Sequence, residues 1–286
     1  MRTRAAVARR GTVAKAQPVV RSPCHNGRLS RWEDAMSTRV STGRVARILA
    51  GILIAGASIA VHAQPGAVAD YRFNGSLGDS LGNAPALTQL VPGDGTFIPV
   101  SFDGAAGSAL AFSAGAGLSL ALDGLIDGQD YSFAVLARFA AVGGWNKFID
   151  TTALARDEGL YVHAGFVELY PSALSGAEPV EADQWYQFVM TRDLSGLVTV
   201  YLDGVEQFSL DDDVAGYAMI SAERLLTFFR DDDSTGNFET SPGAVKRIRL
   251  FNRALTAAEV ARLENYRGGE VIFRNGFDPA PVMRER

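Results

Sequence analysis

From Val68 onward the apolar residues recur with a period of two, and Gly or Asp interrupts the pattern every eight to twelve residues. A period of two is what a strand with one buried face demands, because successive side chains point to opposite sides of a sheet. Turn residues at that spacing predict an all-β sandwich or barrel. The predicted strands are Val68–Phe73, Phe97–Phe102, Ala109–Phe112, Leu118–Leu122, Ser132–Phe139, Lys147–Asp150, Leu160–His163, Phe166–Tyr170, Trp185–Thr191, Val198–Leu202, Val205–Ser209, Leu225–Phe229 and Val245–Phe251. Asp203-Gly204 separates two of them, and that dipeptide suits the two-residue type I′ hairpin turn. One short C-terminal helix is expected. Thr256 and Glu259 have capping-box spacing, and Val260 and Leu263 give the helix an apolar stripe to plug one end of the sandwich. No internal repeat or heptad is present.

Staples other than an apolar core are few. The only cysteine of the 286 residues is Cys24, so disulfides cannot hold the strands together. Charge is divided unevenly. Residues 1–63 hold 11 of the 27 basic and 2 of the 32 acidic side chains, leaving 16 and 30 in residues 64–286, a net of −14. So acidic a body repels phosphate backbones and anionic membranes, which argues against nucleic acid as a partner.

Arg39, Arg44 and Arg47 precede a 13-residue apolar run from Ile48 to Ala60, and Val61-His62-Ala63 ends it with small residues. That order predicts a secretory signal over 36–63, with a mature chain starting near Gln64 outside the cytoplasm, secreted or periplasmic. The run is too short for an integral membrane span, which needs about 20 apolar residues. Residues 1–35 read as a dispensable or mis-called extension. The folded domain is expected over 64–267, and 268–286 reads as a tail ending in Asn275-Gly276-Phe277, whose role the sequence does not give.

Several segments in order resemble the laminin-G-like, concanavalin A-like jelly-roll superfamily. They are Val68–Gly75 with Asp79-Ser80, Phe102–Phe112, Gln184–Thr191 with Val198–Gly204, and Val245–Leu255 with the Thr256–Glu259 cap. The likeness spans about residues 68–265. It implies two antiparallel sheets with one concave face. It also implies a carbohydrate- or protein-binding module, with glycosidases and lyases among the relatives. In that family an apolar residue and an Asp open the last strand, and the Asp helps hold calcium against the opening loop. Here the pair is Val245-Lys246, and an ammonium cannot ligate a hard cation.

The residues offer several chemistries. For calcium, the candidate ligands are Asn74 and Asp79, with Ser80 beside them, and a second group of oxygens lies along Asp231–Glu239. The competing reading of both loops is a set of Asx-turns. A single histidine, His163, follows residue 63, so zinc is excluded. No strand carries the alternating paired carboxylates of a retaining glycosidase, and there is no nucleophile elbow. Phe166-Val-Glu168-Leu-Tyr170 carries one acid on a strand, while Asp157 and Glu158 are adjacent and would face opposite ways. For saccharide binding, Phe166, Glu168 and Tyr170 share one face of a strand, Tyr201 lies on the hairpin, and Trp145 follows Gly143-Gly144 as a loop aromatic. Aromatic rings pack on sugar C–H faces, and carboxylates accept hydroxyl hydrogen bonds. The competing reading puts those rings in the core and Glu168 at an edge. Trp185 matches a core position of the resembled family. The sequence thus points to a non-catalytic module for polysaccharide or surface glycan. The alternatives are a glycosidase or polysaccharide lyase on the same fold, and an adhesion module for a cell-surface protein.

Overall fold

The computed structural model describes residues 66–102, 105–234, 236, 239–263, 265–267 and 270–272, the last two segments by backbone alone. The predicted extension, the signal segment and Asn275–Phe277 lie outside the described residues. In chain order the strands are β1 (Ala69–Tyr71), β2 (Thr88–Gln89), β3 (Thr96–Phe102), β4 (Ala105–Phe112), β5 (Leu118–Ala121), β6 (Tyr131–Phe139), β7 (Asn146–Asp150), β8 (Gly159–His163) and β9 (Phe166–Tyr170). They continue with β10 (Leu174–Ser175), β11 (Tyr186–Arg192), β12 (Leu197–Leu202), β13 (Val205–Asp211), β14 (Leu225–Phe228) and β15 (Gly243–Phe251). Helix α1 (Ala257–Val260) follows, then β16 (Asn265–Arg267) and β17 (Glu270–Ile272).

Two antiparallel sheets make the expected jelly-roll sandwich. The first runs β13-β12-β11-β6-β15-β4-β3, with β1 beside β4 on the same flank of the long strand β15. The second runs β10-β9-β8-β7-β14-β5-β2. Period-two alternation explains the core between them. Phe133, Val135, Ala137 and Phe139 of β6 face Leu160 and Val162 of β8 and Val167 and Leu169 of β9 within one buried cluster. Phe188 sits at its centre, with ring centroids of Phe148 and Phe139 at 4.8 and 5.9 Å. Each such fully buried ring contributes about 1.5–3 kcal/mol by leaving water. At the β12–β13 turn Asp203 and Gly204 both take positive φ, 49° and 79°, as a type I′ turn requires.

The two outer faces are treated differently. On the first sheet, Ala134, Val189 and Tyr201 point away from the core and are covered by Leu255, Val260 and Leu263. Helix α1 therefore lies against the outer face of the first sheet and does not plug an end of the sandwich. Its apolar stripe needs an apolar surface, and those three outward residues supply one. Strands β16 and β17 pair antiparallel, with β16 beside β11. Among the described residues no helix is long and apolar enough to cross a membrane. Among the described residues the edge strands are β13 and β3 in the first sheet and the two-residue strands β10 and β2 in the second.

Candidate functional site

Among the described residues no such helix covers the outer face of the second sheet. Along β9, Val167 and Leu169 are fully buried in the core, so Phe166, Glu168 and Tyr170 emerge half-buried on the opposite side. Register places Tyr161 of β8 opposite Glu168 and His163 opposite Phe166, on that same face. Trp145, just before β7, completes the group. Its indole stacks on the His163 imidazole with centroids 3.5 Å apart and planes 5° from parallel. The rings of Tyr161 and Tyr170 meet Trp145 edge-on at 5.4 and 5.3 Å. His163 Nδ1 lies 3.0 Å from Glu168 Oε2, which fixes both the imidazole under the indole and the carboxylate beside it.

Four of the five residues expected to bind ligand therefore share this face: Trp145, Phe166, Glu168 and Tyr170. Tyr201 does not. It is 5 % exposed on the other sheet, under α1, so its ring is a packing residue there. His163, expected as an ordinary strand residue, is the platform on which Trp145 rests.

Beside the rings lies a charged cluster that the sequence did not reveal. Lys147, directly across from Tyr161, is fully buried. Its Nζ is 3.2 Å from Asp150 Oδ2, 3.4 Å from Asp232 Oδ2 and 3.8 Å from Asp231 Oδ1, donates to the Arg156 carbonyl at 3.2 Å, and lies 5.4 Å from the Tyr161 ring centroid. These acids also hold the loops around them. Asp150 accepts the Thr152 and Leu154 N–H groups, Asp232 that of Ser234, and Asp231 that of Glu239. A lysine on a strand reads as a solvated residue. Two of its partners stand more than eighty positions along the chain, so no local signal pointed to it.

Carboxylates crowd at this margin. Oxygen atoms of Asp157, Asp231 and Glu239 lie within 4.8 Å of one another. Tyr161 Oη donates to Asp157 Oδ1 at 2.7 Å; burial first, then this bond, pushes the phenol well above its ordinary range. The Glu239 carboxyl is also pushed up, by burial and then by Asp231, Asp157 and Asp232, with Lys147 acting against them. Oxygen donors of this kind suit a hard cation. The buried ammonium of Lys147 already supplies positive charge to them.

The opening loop does not fit the calcium that the family resemblance implied. Asp79 accepts four backbone N–H groups, from Asp70 (2.7 Å), Leu81 (3.1 Å), Asn83 (2.8 Å) and Ala84 (3.1 Å). Burial raises its pKa, but these bonds outweigh burial and leave it below the usual carboxylate range. Asn74 Oδ1 and the Arg72 carbonyl each accept from Lys246 Nζ at 3.1 Å. An ammonium thus takes the oxygens that a cation between the first and last strands would need. A second tie lies close by, where Arg247 grips Asp70 through Nε–Oδ1 at 2.7 Å and Nη2–Oδ2 at 2.9 Å.

A family model described as the concanavalin A-like lectin/glucanases superfamily matches residues 112–261, more than half of the chain. The chain belongs to that superfamily. Two solved members of the fold illustrate its range. Domain 4 of AbnA, an extracellular GH43 arabinanase from Geobacillus stearothermophilus solved with arabinotriose, is 22 % identical. It aligns over 69 % of this chain and 98 % of its own with a TM-score of 0.54. Botulinum neurotoxin type C, whose cell entry is described as dependent upon two ganglioside molecules, is 12 % identical with a TM-score of 0.50. It aligns over 68 % of this chain, which spans only 50 % of the toxin chain. At such identities the likeness to both is one of fold. No curated protein is similar enough in sequence to match.

Proposed function

We propose that this superfamily member is an exported, non-catalytic module that binds polysaccharide or surface glycan on the outer face of its second sheet. One observation carries the reading: the Trp145 indole held on His163, with Tyr170 at its edge and the His163-fixed Glu168 carboxylate beside it. Rings stack on the C–H faces of sugars, and an oriented carboxylate accepts their hydroxyl hydrogen bonds. The arabinanase domain solved with arabinotriose lends support, since nearly all of it shares this fold. Export is supported by the arginines, apolar run and Val61-His62-Ala63 end of the leader. Affinity electrophoresis and calorimetry on a panel of neutral and charged polysaccharides test the reading. Trp145→Ala or Tyr170→Ala is expected to weaken binding about tenfold, the scale of a lost ring contact with its buried area. Unchanged binding by both variants would overturn it.

A hydrolase is the second reading, favoured by the approach of Asp157, Asp231 and Glu239 within 4.8 Å. Retaining glycosidases hold two carboxyl groups about 5 Å apart. Against it, Asp231 is fully buried against Lys147 and Asp157 is engaged by Tyr161. Reducing sugar released from the panel, and lost in Glu239→Gln or Glu168→Gln, would install the hydrolase instead.

A further inference from the structure

A single imidazole lies at the heart of the platform. His163 sits between two partners, with the Trp145 indole stacked on its face at 3.5 Å and Glu168 Oε2 at 3.0 Å from its Nδ1. An ionised carboxylate only accepts, so Nδ1 carries a hydrogen and Nε2 is the atom that takes a further proton. The His163 side chain keeps 30 % of its surface exposed against 13 % for Glu168, so solvent reaches the ring. Imidazole is the side chain whose charge ordinarily changes between about pH 5 and 8. The groups around it behave differently. Tyr161, on the same strand, is pushed up by burial first and stays a neutral phenol. Tyr170 meets the indole through its ring, and Phe166, opposite on β9, carries no charge. Asp157 is bonded to Tyr161 Oη, and Lys147 on β7 is held among Asp150, Asp231 and Asp232. Glu158 and Glu239 are pushed up, by burial foremost, and Lys147 acts against the rise in each.

The stack and the Nδ1–Oε2 bond exist whether or not Nε2 is protonated, so by themselves they couple nothing to a ligand. Only a difference in what the ligand meets in the two states can do so. With a neutral ring, the Glu168 charge is uncompensated, and a hydroxyl that donates to it makes a charge-assisted bond, roughly twice as strong as a neutral one. With an imidazolium, the charge is balanced at 3.0 Å and the acceptor is correspondingly weaker. A cation on one face of the indole also draws on the π density that attracts positively polarised C–H groups. Both changes act in the same direction, loosening the hold on an uncharged sugar.

We propose that the Trp145–His163–Glu168 stack is a protonation switch, which holds neutral glycan when His163 is uncharged and releases it when His163 takes up a proton. The proposal rests on the glycan reading of this face and adds its regulation. The test is calorimetric titration of the full chain with neutral arabinan, β-glucan, xylan and mannan at pH 8 and pH 5. Affinity is expected to fall about fivefold on acidification, the difference between a charge-assisted and an ordinary hydrogen bond. By linkage, binding between those limits should release protons, read as a dependence of the measured heat on the buffer's own ionisation. In His163→Gln, which keeps a neutral donor beside Glu168, the profile should be flat whatever its affinity. Indole emission checks the switch without ligand and without a variant, because an imidazolium quenches a stacked indole more than a neutral ring does. The parent's emission should therefore fall with the same midpoint as its affinity. A fall in affinity that persists in His163→Gln would place the titrating group elsewhere, at Glu158 or Glu239, and overturn the switch. Emission that is constant from pH 8 to 5 would also overturn it. Binding that needs Trp145 but does not change with pH would overturn the switch and leave the platform standing. No Trp145-dependent binding at either pH would overturn both.

Discussion

An ammonium and a divalent ion make different demands on the same oxygens. Lys246 is served by single acceptor atoms, and Asn74 Oδ1 and the Arg72 carbonyl meet it at 3.1 Å each. Because the positive charge is covalently attached, the junction of first and last strands should not depend on free metal. Melting with EDTA and with millimolar calcium should give the same Tm, whereas a bound ion would add about 2.7 kcal/mol at a hundredfold excess over its Kd. Lys246→Ala should cost about 1 kcal/mol, the scale of a partly exposed hydrogen bond lost. A calcium-dependent rise of several degrees would show that the loop binds the ion by other oxygens. At this scale the sequence was legible where alternation decides. Phe166, Glu168 and Tyr170 share a face because β9 is regular. It was illegible where a face is covered by something distant. Tyr201 also alternates outward, but α1 closes over it, and period two carries no information about which outward face meets solvent.

Among the elements, α1 was the most fully written in local residues. Thr256 Oγ1 accepts the Glu259 N–H, and Glu259 Oε2 accepts the Thr256 N–H at 2.9 Å, the reciprocal pair that its spacing predicts. Arg253 adds two bonds to the same carboxylate, at 2.6 and 2.9 Å. The Arg253 bond foremost, together with the Thr256 bonds, outweighs burial and brings the Glu259 pKa from 4.5 down to about 2. A folded-state pKa below the unfolded one means stability present above 4.5 and lost as pH falls towards 2. In Glu259→Gln the fall of Tm over that window should be shallower than in the parent, and Tm at neutral pH should be lower. Equal slopes would show that the cap does not contribute. Where the helix docks was not local information, because it depends on Ala134 and Val189 facing outward from strands more than fifty residues earlier. Strands β2 and β10, of two residues each, are too short to show any alternation.

For the whole molecule, the Lys147 cluster fastens the loop 151–158 and the segment 231–234 to the middle of the second sheet. A buried ammonium among Asp150, Asp231 and Asp232 is held in place by its partners, and its removal takes the ammonium away from three buried carboxylates. Lys147→Met should therefore destabilise the fold by about 3–5 kcal/mol, read as a lower urea midpoint at unchanged m. A cost under about 1 kcal/mol would show that those acids are relieved by protonation or solvent instead. The open sheet edges have a consequence of another kind. A free edge is a template on which a second chain can add a strand and polymerise. Here β10 and β2 offer only two residues each, and β10 lies against β13. Strand β3 carries Pro99, which has no N–H to donate, and β13 exposes Glu206 and Asp211. Each edge is thus too short, too charged or lacks a donor for a neighbour to lengthen it, which keeps copies apart even when they are crowded together.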